Sequence, residues 1–275
     1  MHLTSDTLVF SATDLSTFLS CAHLTRLNRL TALGLQPPAP KYDDPSLQVL
    51  FDRGMEHERA YLQSLEDADL RVIEFDDPPG VSDLDTWTTR AAETLEAMRT
   101  GPDVIYQGVL FDSPWLGKPD FLRRVDRPSE LGDWSYEVVD TKLARSAKAG
   151  AVLQITLYSD LLARVQGTEP EHMVLALGGP DTPEERFRYA DFAAYYRMVR
   201  ARFLVTIADA SDEADVAPDP CDHCTICAWK RRCAEERRAV DHLSLVAGIR
   251  RRQRDGLRDR GVDTLTGLAD RKSVV

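Results

Sequence analysis

Between residues 104 and 144 apolar and polar residues alternate in three segments, VIYQGVLF (104–111), WLGKPDFLRRV (115–125) and YEVVDTKLA (136–144), rich in β-formers and separated by turn residues. Connections this short join strands as neighbours, so the spacing predicts a three-stranded meander in the middle of the chain. Elsewhere the apolar period is helical, at 11–33, 47–67, 83–99 and 149–167, and Ser11 or Thr13 could cap the first of these. Further strands are expected at 70–75, 172–179 and 185–192, the last leading into a helix that ends near 209. Residues 34–46 read as a proline-rich loop and DDPPG (76–80) as a turn. With no internal repeat, this order predicts an α+β fold: helices, an antiparallel-dominated sheet, then a helix packed on it.

At 275 residues, 43% hydrophobic and 29% charged, the chain can bury one sizeable domain with an appendage, and its composition excludes a disordered or fibrous protein. No apolar run approaches the ~18–20 residues of a membrane helix. The opening MHLTSDTLVFSATDL carries Asp6 and Asp14 instead of a basic n-region, so no membrane partner is expected and the expected location is cytoplasmic. Net charge is −11, yet from Cys221 onward 13 Lys/Arg face 8 Asp/Glu. The acidic body argues against broad phosphate binding, whereas the basic end could supply it locally or be merely a solvated face.

The chemistry concentrates in GKPD (117–120) and EVVDTK (137–142). Residues i and i+2 share a strand face, so Asp140 and Lys142 project together, away from Val139 and Thr141. Taken alone, a carboxylate beside a lysine is most often a surface ion pair. Asp120, however, lies on the neighbouring strand, where pairing could bring it beside Asp140, and two such carboxylates suit a hard cation such as Mg²⁺ or Mn²⁺. Gln154 and Tyr158 share a face of the next helix. Upstream, Glu56-His57-Glu58 places an imidazole and carboxylates on another helix.

Cys221, Cys224, Cys227 and Cys233 fall within 13 residues, and only Cys21 stands apart. Structural disulfides are not expected in a reducing compartment. The cluster reads as a metal or iron–sulfur site, with loosely buried free thiols as the bland alternative. Zinc would be satisfied by the four clustered cysteines without Cys21. Cys21 by itself reads as a core residue of its helix.

The ordered set of His57, GxPD ending at Asp120, Asp140-Thr-Lys142 and Gln154-x-x-x-Tyr158 resembles the PD-(D/E)XK nuclease superfamily, specifically its RecB-like branch. Cys21 ahead of that core and Cys224-x2-Cys227-x5-Cys233 behind it resemble the iron–sulfur subgroup, which includes AddB-type helicase–nucleases and CRISPR-associated RecB-like nucleases. The likeness covers roughly residues 10–270. It implies a restriction-endonuclease-like core, a mixed central sheet flanked by helices, with helical N-terminal and Cys-rich C-terminal segments. His57, Asp120 and Asp140 would hold the divalent metal, with the Thr141 carbonyl as a further ligand and Glu58 as an alternative. Lys142 would orient or activate the water, and Gln154 and Tyr158 would contact the nucleic-acid strand or support the site. Cys21, Cys224, Cys227 and Cys233 would bind a [4Fe–4S] cluster that ties distant parts of the chain together. Cys221 is surplus to that pattern and keeps the ligand assignment open, as it keeps zinc open.

Residues 241–269 resemble half of a helix-hairpin-helix module, whose turns donate backbone N–H groups to phosphate. Arg250, Arg251, Arg252 and Arg254 add positive charge there. A plain helical pair packed on a neighbouring domain is the alternative. The expected organisation is therefore an N-terminal helical part (1–100) carrying Cys21 and His57, a nuclease core (101–220), a Cys-rich segment (221–237) and a basic tail (238–275). The resemblance implies a metal-dependent nuclease acting on DNA, single-stranded or at duplex ends, in repair, recombination or defence. It favours an exonuclease over an endonuclease, with a helicase or RNase H-like domain or subunit as partner. Two other classes remain open: a nucleic-acid-binding module whose catalysis is idle, and a zinc-stabilised interaction domain.

Overall fold

A computed structural model describes residues 1–40, 45–76, 83–179, 182–208 and 218–270. Part of the expected proline-rich loop, most of the DDPPG turn and the last five residues lie outside the described residues. In chain order the elements begin with β1 (His2–Thr4), β2 (Thr7–Val9), α1 (Ala12–Ser20), α2 (Ala22–Ala32), α3 (Pro45–Glu66), β3 (Val72–Glu74) and α4 (Leu84–Arg99). Then follow β4 (Val104–Tyr106), β5 (Leu110–Asp112), β6 (Trp115–Gly117), β7 (Phe121–Val125), β8 (Ser135–Lys142), α5 (Ala149–Gln166), β9 (His172–Leu177), β10 (Glu184–Arg188) and α6 (Tyr189–Ala208). The chain closes with α7 (Lys230–Ala239), α8 (Arg251–Arg258) and α9 (Leu265–Asp270). Two compact units divide it, residues 1–16 with 43–206 and residues 17–42 with 207–275. No helix among the described residues is long and apolar enough to cross a membrane.

The first unit is built on a six-stranded mixed sheet of order β10-β9-β8-β7-β4-β3. Its parallel pairs, β8 with β9 and β3 with β4, are those whose connections contain a helix, α5 and α4, because a parallel return needs a long crossover. The remaining neighbours are antiparallel. The expected meander is present as β4, β7 and β8, but its first two segments are each broken. Gln107 adopts a φ of +57°, and Pro119 has no N–H to give a ladder. The pieces between, β5 and β6, fold out as a separate hairpin.

Strand β8 is buried on both faces from Ser135 to Thr141, which explains its near-continuous apolar reading and makes Asp140, at 0% exposure, an anomaly. Tyr61 and Leu62 of α3 pack with Phe121, Val139 and Val174. Helix α5 is apolar on most of its circumference, as a core helix must be. Gly178 follows β9 with no room for a side chain: an added Cβ would stand 2.2 Å from the Leu143 carbonyl oxygen. Its N–H donates to the Lys142 carbonyl at 2.7 Å, so this tight passage fixes where β8 ends.

Three local expectations are corrected. The helix expected over 11–33 is two helices, broken where Cys21 takes an extended backbone (φ −163°, ψ 107°) at the N-cap of α2. The apolar period survives the break because both helices keep an apolar face. Neither Ser11 nor Thr13 caps α1 through its hydroxyl. Instead Asp14 reaches back and accepts from the Ser11 N–H (2.8 Å) and hydroxyl (3.0 Å). The strand expected to 192 stops at Arg188, where α6 begins.

In the second unit Leu27, Trp229 and Cys233 form a small core with Leu24, Ala39 and Cys227 around it. Beyond it, Arg254 is 3% exposed, with Nε 3.1 Å from Asp219 Oδ1, and Arg258 binds the same carboxylate. That corrects the expectation that all four arginines offer charge to phosphate: Arg250, Arg251 and Arg252 are exposed, whereas Arg254 is held inside by Asp219. On the expectation that this end meets phosphate, Arg252→Ala should flatten the salt dependence of nucleic-acid binding by about one unit of slope without moving the melting temperature. Arg254→Ala should lower the melting temperature instead, because it strips a partner from a half-buried carboxylate. Salt-titrated anisotropy and thermal melting of both variants separate the two roles.

Candidate active site

Asp120 stands one residue before β7, just past the last ladder pair, Phe121 with Val139. Its Oδ2 accepts from the Thr141 N–H (2.6 Å) and hydroxyl (2.7 Å), taking the place of a missing strand partner. The Gln107 N–H donates to the Asp120 carbonyl at 2.8 Å. The strand ends themselves thus fix this carboxylate. Asp140 pairs through Oδ2 with Lys142 Nζ on its own strand face, and its Oδ1 is buried with no hydrogen-bond partner.

Glu58 arrives from α3, held by Gln107 Nε2 and the Tyr106 hydroxyl. The electrostatics show that these groups share one neighbourhood. Burial raises Asp140 well above the usual carboxylate range, and the Asp120 charge raises it further against the pull of Lys142. Burial, then the Asp120 charge, raises Glu58 as well. Burial alone would lower Lys142, but Asp140, Asp120 and Glu58 outweigh it, so the ammonium is retained. Three acids around one base leave a site that needs further positive charge. The orphaned Oδ1 of Asp140 meets the same test: a buried carboxylate oxygen without a donor fits a divalent cation.

His57 sits at the rim of this group, with Nε2 3.2 Å from the Ala176 carbonyl on β9. Ala176 pairs with Thr141, so the imidazole is beside β8 but turned to the backbone. The expected pair on α5 is bonded to itself, Gln154 Nε2 donating to Tyr158 Oη at 2.9 Å. Tyr158 is buried, also accepts from the Lys118 N–H, and is kept protonated by burial and the Asp140 charge. It anchors the GKPD turn to the core. Gln107 and Tyr106 were invisible as site residues in the sequence. The only signal was a Gln-Gly step interrupting the strand period.

A scan of family models matches residues 9–234 to the PD-(D/E)XK nuclease superfamily. The chain belongs to that superfamily. Among curated proteins nothing matches it. Membership agrees with the mixed six-stranded sheet flanked by helices, and a nuclease of this superfamily takes a nucleic acid as substrate and characteristically a divalent metal such as Mg²⁺.

The superfamily match reaches past the nuclease core to Cys233. In the second unit all five cysteines line one cavity, together with His23, Leu24, Leu27 and Arg237. Cys221 begins a 3₁₀ turn (Asp222–Thr225), which brings its Sγ to 3.9 Å from that of Cys224. Cys233, in the first turn of α7, is pushed up to about 11 by burial, then by the charges of Glu236 and Cys227. Crowded thiols of this kind suit a thiophilic metal centre, which would stabilise their ionised forms. Two further donors were not foreseen. A ring nitrogen of His23, Cys233 Sγ and a Glu236 oxygen lie within 4.8 Å of one another, and His23 Nε2, 3.9 Å from Glu236, is buried without a hydrogen bond.

Proposed function

We propose that this protein is a divalent-metal-dependent DNA nuclease of the RecB-like type, acting from strand ends, in which Asp140, Asp120 and Glu58 hold the metal. The observation that carries this reading is the buried, unpartnered Oδ1 of Asp140 beside Lys142 and two further carboxylates. Glu58 takes the position expected of His57, because its carboxylate couples to Asp120 and Lys142 whereas the imidazole is turned to Ala176. A bound divalent cation supplies Lewis acidity at the phosphate and an acidified water. Lys142, kept protonated by its acidic neighbours, sets positive charge where the scissile phosphate gains negative charge. Tyr158 and Gln154 hold the turn that presents Asp120. The full chain should degrade end-labelled linear DNA with Mg²⁺ or Mn²⁺ and stop on chelation. Degradation of linear but not covalently closed circular DNA supports action from ends. Absence of any metal-dependent cleavage overturns the reading.

The thiol cavity is proposed to bind a [4Fe–4S] cluster through Cys21, Cys224, Cys227 and Cys233. A second reading, structural zinc, draws support from the 3.9 Å Cys221–Cys224 separation, close to the edge of a thiolate tetrahedron with Zn–S bonds of about 2.3 Å, and from His23 and Glu236 beside Cys233.

A further inference from the structure

Helix α3 is 22 residues long, and among its described side chains the fully buried ones, Tyr61 and Leu62, lie in its C-terminal half. From Gln48 to Arg53 every side chain is exposed. Among them Phe51 is 65% exposed, and Met55, one turn on, is 51% exposed. Large apolar groups side by side in water are kept where something covers them.

Helical geometry says where they point. Phe51 precedes Glu58 by seven residues, two turns or roughly 10 Å, and Met55 precedes it by three, so all three share a face. That is the face Glu58 turns toward Asp120 and Lys142. Gly54 lies on it too, with nothing within 4 Å of where a Cβ would stand. Glycine inside a helix costs roughly 1 kcal/mol relative to alanine. Among the described residues no neighbour requires it here, and the missing side chain leaves an open shelf between Phe51 and Glu58.

We propose that this face of α3 is a stacking platform for unpaired bases of the strand being cut, with a base lying on Phe51 and the backbone passing over Gly54 to the scissile phosphate. The proposal rests on the nuclease reading, since it is the continuity with Glu58 that selects a nucleic acid over a protein as the occupant. Aromatic side chains take any base by its π-face, so the platform favours single strands or frayed ends without reading sequence. A closed duplex has no free face to offer.

The test is fluorescence anisotropy of the full chain in Ca²⁺ with three labelled probes: a single-stranded oligonucleotide, the same strand with its middle bases abasic, and a blunt duplex. Phe51→Ala should weaken single-strand binding about tenfold, leave the abasic strand and the duplex unchanged, and leave the melting temperature unchanged. Phe51→Trp should restore the affinity and Phe51→Leu should not. Gly54→Leu should raise the melting temperature while weakening single-strand binding, a combination that misfolding cannot produce. If the wild type cleaves DNA but Phe51→Ala binds all three probes as the wild type does, the platform is overturned and the face belongs to a protein partner. If the wild type neither binds nor cleaves any of them, the nuclease reading fails and the platform with it.

Discussion

Asp140→Asn should abolish metal-dependent cleavage, by on the order of 10³-fold or more, and at the same time make the metal-free protein more stable. Both follow from one atom. Asp140 is fully buried, its Oδ1 has no donor, and its pKa is raised by burial and by Asp120 despite the ion pair to Lys142. A folded-state pKa above the unfolded value of about 3.9 means that ionising the group costs the folded state free energy. The penalty is absent below the unfolded pKa and grows as pH rises toward the folded one. Asparagine keeps the shape and removes the charge. Its advantage should therefore vanish near pH 4 and reach on the order of 1 kcal/mol at neutral pH, about 2–4 °C in melting temperature. Mg²⁺ should raise the melting temperature of the wild type and not of Asp140→Asn. Melting scans with and without chelator, across pH, beside a cleavage assay, check all of this. A variant less stable than the wild type at every pH would mean that Asp140 is a structural ion-pair partner of Lys142. The trade of stability for activity is what a site built to receive a cation requires: the charge is buried in advance, and the cation relieves the cost.

On the proposed thiol metal centre, Cys21→Ser should cost the protein that metal and most of its solubility together. Cys21 lines the same cavity as Cys224, Cys227 and Cys233, though some 200 residues precede them in sequence. A metal centre that joins such distant segments couples its binding free energy to folding, so losing one thiolate loosens both. Iron, acid-labile sulfide and zinc, measured on anaerobically purified protein, decide the metal. About four irons per chain in the wild type and none in Cys21→Ser supports the cluster. Full iron retention in that variant with loss in Cys221→Ser would move the fourth ligand to Cys221. One zinc per chain, lowered by His23→Ala, would replace the cluster with the mixed donor set that His23 and Glu236 make around Cys233.

The acids and the lysine were legible in the sequence because strand periodicity alone puts Asp140 and Lys142 on one face, and a short connection makes the strand that follows Asp120 their neighbour. Glu58 was legible only as an alternative to His57. A run of three titratable residues on a helix fixes the spacing and not the phase, and the phase was set by Tyr61 and Leu62 packing on the sheet. Gln107 was not legible at all. Its place depends on a left-handed backbone at a strand break, and that break is decided by the hairpin β5–β6 folding away from the sheet. The arginine-rich end misled in one position, since charge density in the sequence does not say that Asp219 will draw Arg254 inside.

The sequence by itself determined what depends on local period and residue chemistry: the main helices and the strands of the central sheet, though not the short β1–β2 hairpin, that a mixed layer of both must form, and that carboxylates, a lysine and thiols are the reactive inventory. Tertiary structure decided what depends on which segments meet. It broke the meander, split the first helix at Cys21, gathered five thiols around one cavity, brought the Glu58 charge into reach of Asp120 and Lys142 and left Asp140 buried with one oxygen unpartnered. The physical reason is range. Backbone propensity and side-chain alternation act over a few residues, whereas burial, charge coupling and metal-donor geometry arise only between groups that the fold brings from far apart in the chain.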